Sequence, residues 1–244
     1  MASPVEQFKI EPLVPLDIGG VNISFTNSAL LMVVSVCLVT TFLTLSVRGR
    51  ALIPGRWQSM AEVLYEFTAN MIRDNVGSQG RKYFPFIFTL FMFVLFGNLL
   101  GMIPFSFTYT SHIIVTFGLA IVVFVGVTII GFMHHGLGYL RMFFPHGAPL
   151  ATALILVPIE LISYCSRPFS LAIRLFANMT VGHIILQVMA GFVISLGAFY
   201  VLPGIVPMAF LGGITVLEFG IALLQAYVFT ILSCIYLHDA IHMH

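Results

Sequence analysis

The sequence predicts an all-α integral membrane protein with about five membrane helices and one amphipathic surface helix. Three observations predict it. Of 244 residues, 59% are hydrophobic and only 8% charged, too few charges to cover a soluble domain. Long uncharged runs reach the roughly 20 residues that a helix needs to cross the hydrocarbon. One further stretch alternates apolar and charged residues at helical spacing. The formal net charge of +1 gives no basic face, which argues against nucleic acid as a partner.

The elements follow in order. Residues 1–28 carry Glu6, Lys9, Glu11 and Asp17 and read as an outside N-terminal segment. A cleavable signal peptide would open on a basic region instead. The first span, 29–47, ends at Arg48, Arg50 and Arg56, and basic residues flanking a first span mark the cytoplasmic side. In 57–75, Trp57, Met60, Ala61, Leu64, Phe67, Met71 and Ile72 recur at helical spacing, with Glu62, Glu66, Arg73 and Asp74 largely between them. That is the surface helix. Residues 83–135 read as a helical hairpin, turning through the polar, aromatic loop Pro104 to Thr110 and ending at His134, His135 and Arg141. Residues 149–241 hold two longer apolar segments, with Gly197, Pro203, Gly204 and Pro207 between them. Each is longer than one perpendicular crossing, so strong tilt, kinks at Pro158 and Pro168, or an in-plane path is expected. The whole, 1–244, is one membrane domain with the C-terminus cytoplasmic.

Past Tyr83 only Arg141, Glu160, Arg167, Arg174, Glu218 and Asp239 are charged. An Arg or Asp at the centre of a membrane helix costs about 2.5–3.5 kcal/mol, so such residues normally face a partner or water and serve a function. Glu160, Ser163, Arg167, Ser170, Arg174 and Asn178 follow steps of three or four and share one helix face. Arg167 is near enough to the cytoplasmic interface to snorkel; Arg174 is deeper. His183 lies nine positions after Arg174, close to the opposite side. On the final segment Glu218 and Gln225 share a face, and a His–carboxylate pair of His183 with Glu218 is a plausible proton relay. Gly212, Gly213, Ala222 and Ala226 are small enough for close helix approach. Cys37, Cys165 and Cys234 sit in apolar runs and read as buried small hydrophobes. His134, His135, His238, His242 and His244 read as interface or terminal residues, with no metal site and no cofactor implied. The sequence has no GxxxxGK[ST] loop and only two lysines, so any ATP chemistry belongs to another chain.

Two stretches, SRPFSLAIRLFANMTVGH and LEFGIALLQAYVFTIL, resemble the signature helices of subunit a of the F-type (F1Fo) ATP synthase, in its alphaproteobacterial and mitochondrial branch. The similarity extends over nearly the whole chain. On this resemblance the family's essential arginine falls on Arg174 and its channel asparagine on Asn178. The later glutamine falls on Gln225, the exchangeable acid–histidine pair on His183 and Glu218, and a further carboxylate on Glu160. The resemblance implies a long tilted hairpin against a rotor ring of c subunits. Two offset half-channels pass protons to and from the ring carboxylates, with Ser170 near the cytoplasmic one. Peripheral-stalk b subunits, the F1 head indirectly and membrane lipids are the other implied partners. The expected location is a bacterial inner membrane over the mitochondrial one, and the chain is expected to be non-catalytic on its own. The rival from another class is a stand-alone proton-coupled secondary transporter, which predicts two matching halves that the sequence does not display.

Overall fold

The computed structural model describes residues 9–15, 17–18, 21–22, 24–49, 54–103, 107–143, 150–197 and 201–242, with backbone alone for 17–18, 21–22, 141–143, 150–154 and 201–204. Glu6, Arg50, Pro104, Pro149 and His244 lie outside the described residues. Short strands β1 (Pro12–Val14), β2 (Asp17–Ile18), β3 (Val21–Asn22) and β4 (Phe25–Thr26) form two small antiparallel pairs, β1 with β4 and β2 with β3. Among the described residues six α-helices follow: α1 (Asn27–Arg48), α2 (Arg56–Val76), α3 (Phe84–Gly101), α4 (Ile113–His135), α5 (Leu150–Gly197) and α6 (Val201–Ile241). All but α2 are long and apolar enough to cross a membrane. The fold is that of an all-α integral membrane protein.

Local sequence explains the helix ends. Thr26 caps α1 by accepting a hydrogen bond from the Ala29 backbone N–H. Gly77 and Gly136, at φ +79° and +56°, close α2 and α4 in a conformation that disfavours other residues. On α2, Ala61, Thr68, Met71, Ile72 and Val76 are buried, whereas Trp57, Met60 and Phe67 from the same apolar stripe are exposed. Only part of that stripe packs on the rest of the chain.

The α5–α6 pair is the largest helix–helix contact; α3 lies chiefly against α6 and α4 chiefly against α5. Leu171, Leu175 and Met179 of α5 and Ala222, Ala226 and Phe229 of α6 are almost fully buried. Ala222 and Ala226 therefore do serve close packing, but Gly212 and Gly213 face open space within the chain. At about 1.5 Å per residue, the 48 residues of α5 extend roughly 70 Å, more than twice the hydrocarbon thickness. A helix of that length crosses only at a steep tilt or lies partly along the membrane.

Two expectations need correcting. The break between the long segments is shorter than the prolines implied, because α6 already starts at Val201 and takes in Pro203, Gly204 and Pro207. Pro203 stands in the first turn, where its N–H would have no acceptor, and Pro207 costs one internal bond. Pro158 and Pro168 likewise sit within a continuous α5. The cysteines also differ from expectation: Cys234 is buried, but Cys37 and Cys165 are exposed. A lipid-facing surface accepts an apolar thiol as readily as a core does.

Candidate functional site

The polar stripe on α5 does not act as one surface. At about 100° per residue, Ser170, Ser163 and Arg174 fall towards one edge, and Arg167, Glu160 and Asn178 towards the other. The first three are exposed and the last three half-buried. The edge that turns inward finds partners on α6: Asn178 donates to Gln225 Oε1 at 2.7 Å, and Arg167 pairs with Asp239 at 3.0 Å. The edge that turns outward does not. Among the described residues, Arg174 makes no hydrogen bond or ion pair, although it sits in the middle of a largely apolar helix, with Ile173 and Val181 exposed near it. Glu160 and Ser170 stay apart from the other candidates.

The second constellation lies about 13 Å along α5 from Arg174, nine residues on at the helical rise. His183 is half-buried, with Nδ1 3.6 Å from Glu218 Oε1 and Nε2 2.8 Å from Thr108 Oγ1. Glu218 is only 2% exposed. Neither of its carboxylate oxygens has a hydrogen-bond partner among the described residues, since 3.6 Å is too long. A carboxyl kept in that condition marks a functional candidate. Gly182 makes room for it: a Cβ there would collide with the Glu218 carboxylate. One turn after Glu218, the Ala222 carbonyl accepts from Asn98 Nδ2 of α3 at 3.2 Å. Gln225, 1% exposed, follows. Helices α3, α5 and α6 and the loop before α4 thus converge on one buried polar patch.

A third group closes the other end of the hairpin. The Arg167 guanidinium bound to Asp239 also lies 5.4 Å from the Tyr164 ring centre and 5.0 Å from that of Tyr236. The Tyr164 hydroxyl lies 2.6 Å from Thr128 Oγ1 and 3.1 Å from the Tyr139 hydroxyl, tying in α4 and the turn after it. Arg167 is thus held by a counter-ion and two rings instead of snorkelling. Beside this group, His135 Nε2 lies 2.9 Å from the Ile241 carbonyl and His238 stacks on His242. No metal-binding cluster occurs among the described residues.

Sequence reasoning found His183, Glu218, Asn178 and Gln225, which the structure brings together in two adjoining pairs. It missed Thr108, which sits 75 residues from His183 in a loop with no periodic signal. It also missed Asp239 as the partner of Arg167, although these are two of the few charges left after Tyr83. Asn98 lay unnoticed in an apolar run.

Comparison with known proteins fits this geometry. The family model described as ATP synthase A chain matches residues 29–238, nearly all of the helical part. The chain is 79% identical to ATP synthase subunit a of Paramagnetospirillum magneticum, over the full length of both. It is 66% identical to that of Rhodospirillum rubrum, again over both full lengths. With that of Mesorhizobium japonicum the identity is 56%, over 98% of this chain and 96% of the relative. These organisms are alphaproteobacteria, the branch indicated by the His183 and Glu218 identities. The chain belongs to the ATP synthase subunit a family.

Proposed function

We propose that the chain is the proton-conducting stator subunit of the ATP synthase membrane sector. It passes protons through two offset half-channels to a rotating ring of small subunits, each with a membrane-buried carboxylate, and Arg174 keeps the half-channels apart. The relatives' shared name, ATP synthase subunit a, supports the complex. The observation that carries the mechanism is the presence, on one hairpin, of an outward-facing Arg174 with no hydrogen bond or ion pair and a buried Glu218 whose carboxylate oxygens accept no hydrogen bond, among the described residues.

A guanidinium stays charged at any working pH and offers only donors. Exposed on an apolar helix face, it calls for an anion from another chain, and the ring carboxylate is that anion. A proton from outside passes through Glu218 and His183 and along Asn178 and Gln225. It neutralises the ring carboxylate, which then turns into lipid. After nearly a full rotation the proton leaves towards the cytoplasm near Glu160 and Ser170. Arg174 attracts each carboxylate as it deprotonates and blocks direct hopping between the two paths. Each proton crossing 100 mV contributes about 2.3 kcal/mol, so several are needed before the soluble head makes one ATP. The basic residues Arg48 and Arg56 after α1 support a cytoplasmic face there, with the N-terminus outside, the C-terminus inside and the host membrane a bacterial inner membrane.

The experiment uses the assembled complex in sealed vesicles. Arg174→Ala is expected to abolish both ATP-driven proton pumping and proton-driven ATP synthesis, with the complex assembled in normal amount. Retention of both refutes the assignment. Proton transport by the purified chain alone favours the stand-alone transporter.

A further inference from the structure

His183 is gripped from a direction that the proton path above does not use. Its Nε2 lies against Thr108 Oγ1, at 2.8 Å, while Nδ1 points to Glu218. Thr108 has one hydroxyl proton and two acceptor lone pairs. That hydroxyl donates to the Gly101 carbonyl at 3.2 Å. Gly101 ends α3, so its carbonyl has no helical N–H ahead of it, and Thr108 is its donor among the described residues. A carbonyl cannot donate, whereas an imidazole can. The arrangement that satisfies all three groups has Thr108 donating to Gly101 and His183 Nε2–H donating to Thr108. In the neutral ring Nδ1 is then the lone-pair nitrogen, and it is Nδ1 that faces the carboxyl.

We propose that Thr108 is a positioning residue that fixes His183 as the Nε2–H tautomer and so turns a proton-accepting nitrogen towards Glu218. The inference rests on the proton path proposed above and deepens it by assigning the direction of transfer within the His183–Glu218 pair: a protonated Glu218 donates to Nδ1.

The loop is built to hold Thr108 still. A Cβ at Gly101 would collide with the Thr108 side chain, so only glycine permits this approach. Tyr109, 1% exposed, takes the space that a Cβ at Gly97 would need. Its hydroxyl lies 3.2 Å from both Ser35 Oγ of α1 and the Phe93 carbonyl of α3. Burial pushes the Tyr109 phenol up to about 12, so it stays neutral and serves as a strut, not as a proton carrier. Ser111 Oγ donates to the Thr108 carbonyl at 2.5 Å, and Thr180, one turn before His183, donates to the Ser111 carbonyl at 3.2 Å. Helices α1, α3 and α5 therefore all strap the same short loop, and α1 acquires a part in positioning His183 through Ser35.

The test compares hydroxyl with volume at position 108, in the assembled complex in vesicles. Thr108→Val keeps the shape and removes the hydroxyl; Thr108→Ser keeps the hydroxyl and removes a methyl. Valine is expected to slow proton conduction about tenfold, the lower end of the loss found when the partner orienting a metal-bound histidine is removed, and serine to restore it. In a His183→Ala background, Thr108→Val is expected to add no further loss. Thr108→Ala replaces valine if the valine complex fails to assemble, with the same two expectations. Valine conducting like the parent while serine is impaired overturns the inference, as does an equal valine effect in the His183→Ala background. Glu218→Gln and Arg174→Ala run alongside. If those two sustain normal ATP-driven proton pumping, the proton path itself fails. If they no longer pump and Thr108→Val is normal, only the positioning role fails.

Discussion

Arg167 and Arg174 stand two turns apart on the same helix, yet their surroundings are opposite. Arg167 has a carboxylate at 3.0 Å and two aromatic rings against its guanidinium. Arg174 makes no hydrogen bond or ion pair among the described residues and lies exposed on the outward edge of the helix. The same chemical group is structural in one place and, on the reading proposed here, functional in the other. A permanent charge whose needs are met inside the chain stiffens the hairpin. One whose needs are unmet waits for another polypeptide. The two positions are also about 10 Å apart along the axis, so Arg167–Asp239 fixes how α5 and α6 meet close to Arg174.

The sharpest way to break this contrast is to make the same exchange at both positions. Arg174→Lys keeps a charge but loses the planar fork and the guarantee of remaining protonated. It is expected to remove most ATP-driven pumping. Arg167→Lys can still reach Asp239 and pack on the rings, and pumping is expected to stay near the parent level. Equal losses at the two positions erase the distinction. A smaller effect sharpens it. Arg167→Ala leaves Asp239 without its counter-ion and is expected to destabilise the subunit by about 2 kcal/mol, read as a lower melting temperature of the assembled complex in detergent. The smallest expected signal is the coupling within the pair. A double-mutant cycle of Arg167→Gln with Asp239→Asn should return about 1 kcal/mol, and a cycle of Arg167→Gln with Glu160→Gln close to none.

Much of this architecture was legible in the sequence because a membrane imposes simple rules. Length and the absence of charge define the spans, and the stripe of Glu62, Glu66, Arg73 and Asp74 separates α2 from them. The same rules made the ionisable residues conspicuous, which is why Arg174, Glu218 and His183 stood out. What the sequence hid depends on tertiary placement. The division of one polar stripe into a paired edge and an unpaired edge follows from where α6 lies, and periodicity alone puts Arg167 and Arg174 on one face. Thr108 was illegible because a threonine in a loop carries no signal until the loop is folded onto α5. The prolines misled for a different reason: Pro207 costs α6 one backbone bond and the rest of the ladder stays intact, so a strong local signal ends no helix.

A map of the assembled complex shows what the outward face of α5 meets. The Arg174 guanidinium is expected at membrane depth, opposite an acidic side chain of a neighbouring ring helix. A guanidinium found in bulk water, or against lipid with no acidic side chain near it, rules out Arg174 as the residue that keeps the half-channels apart.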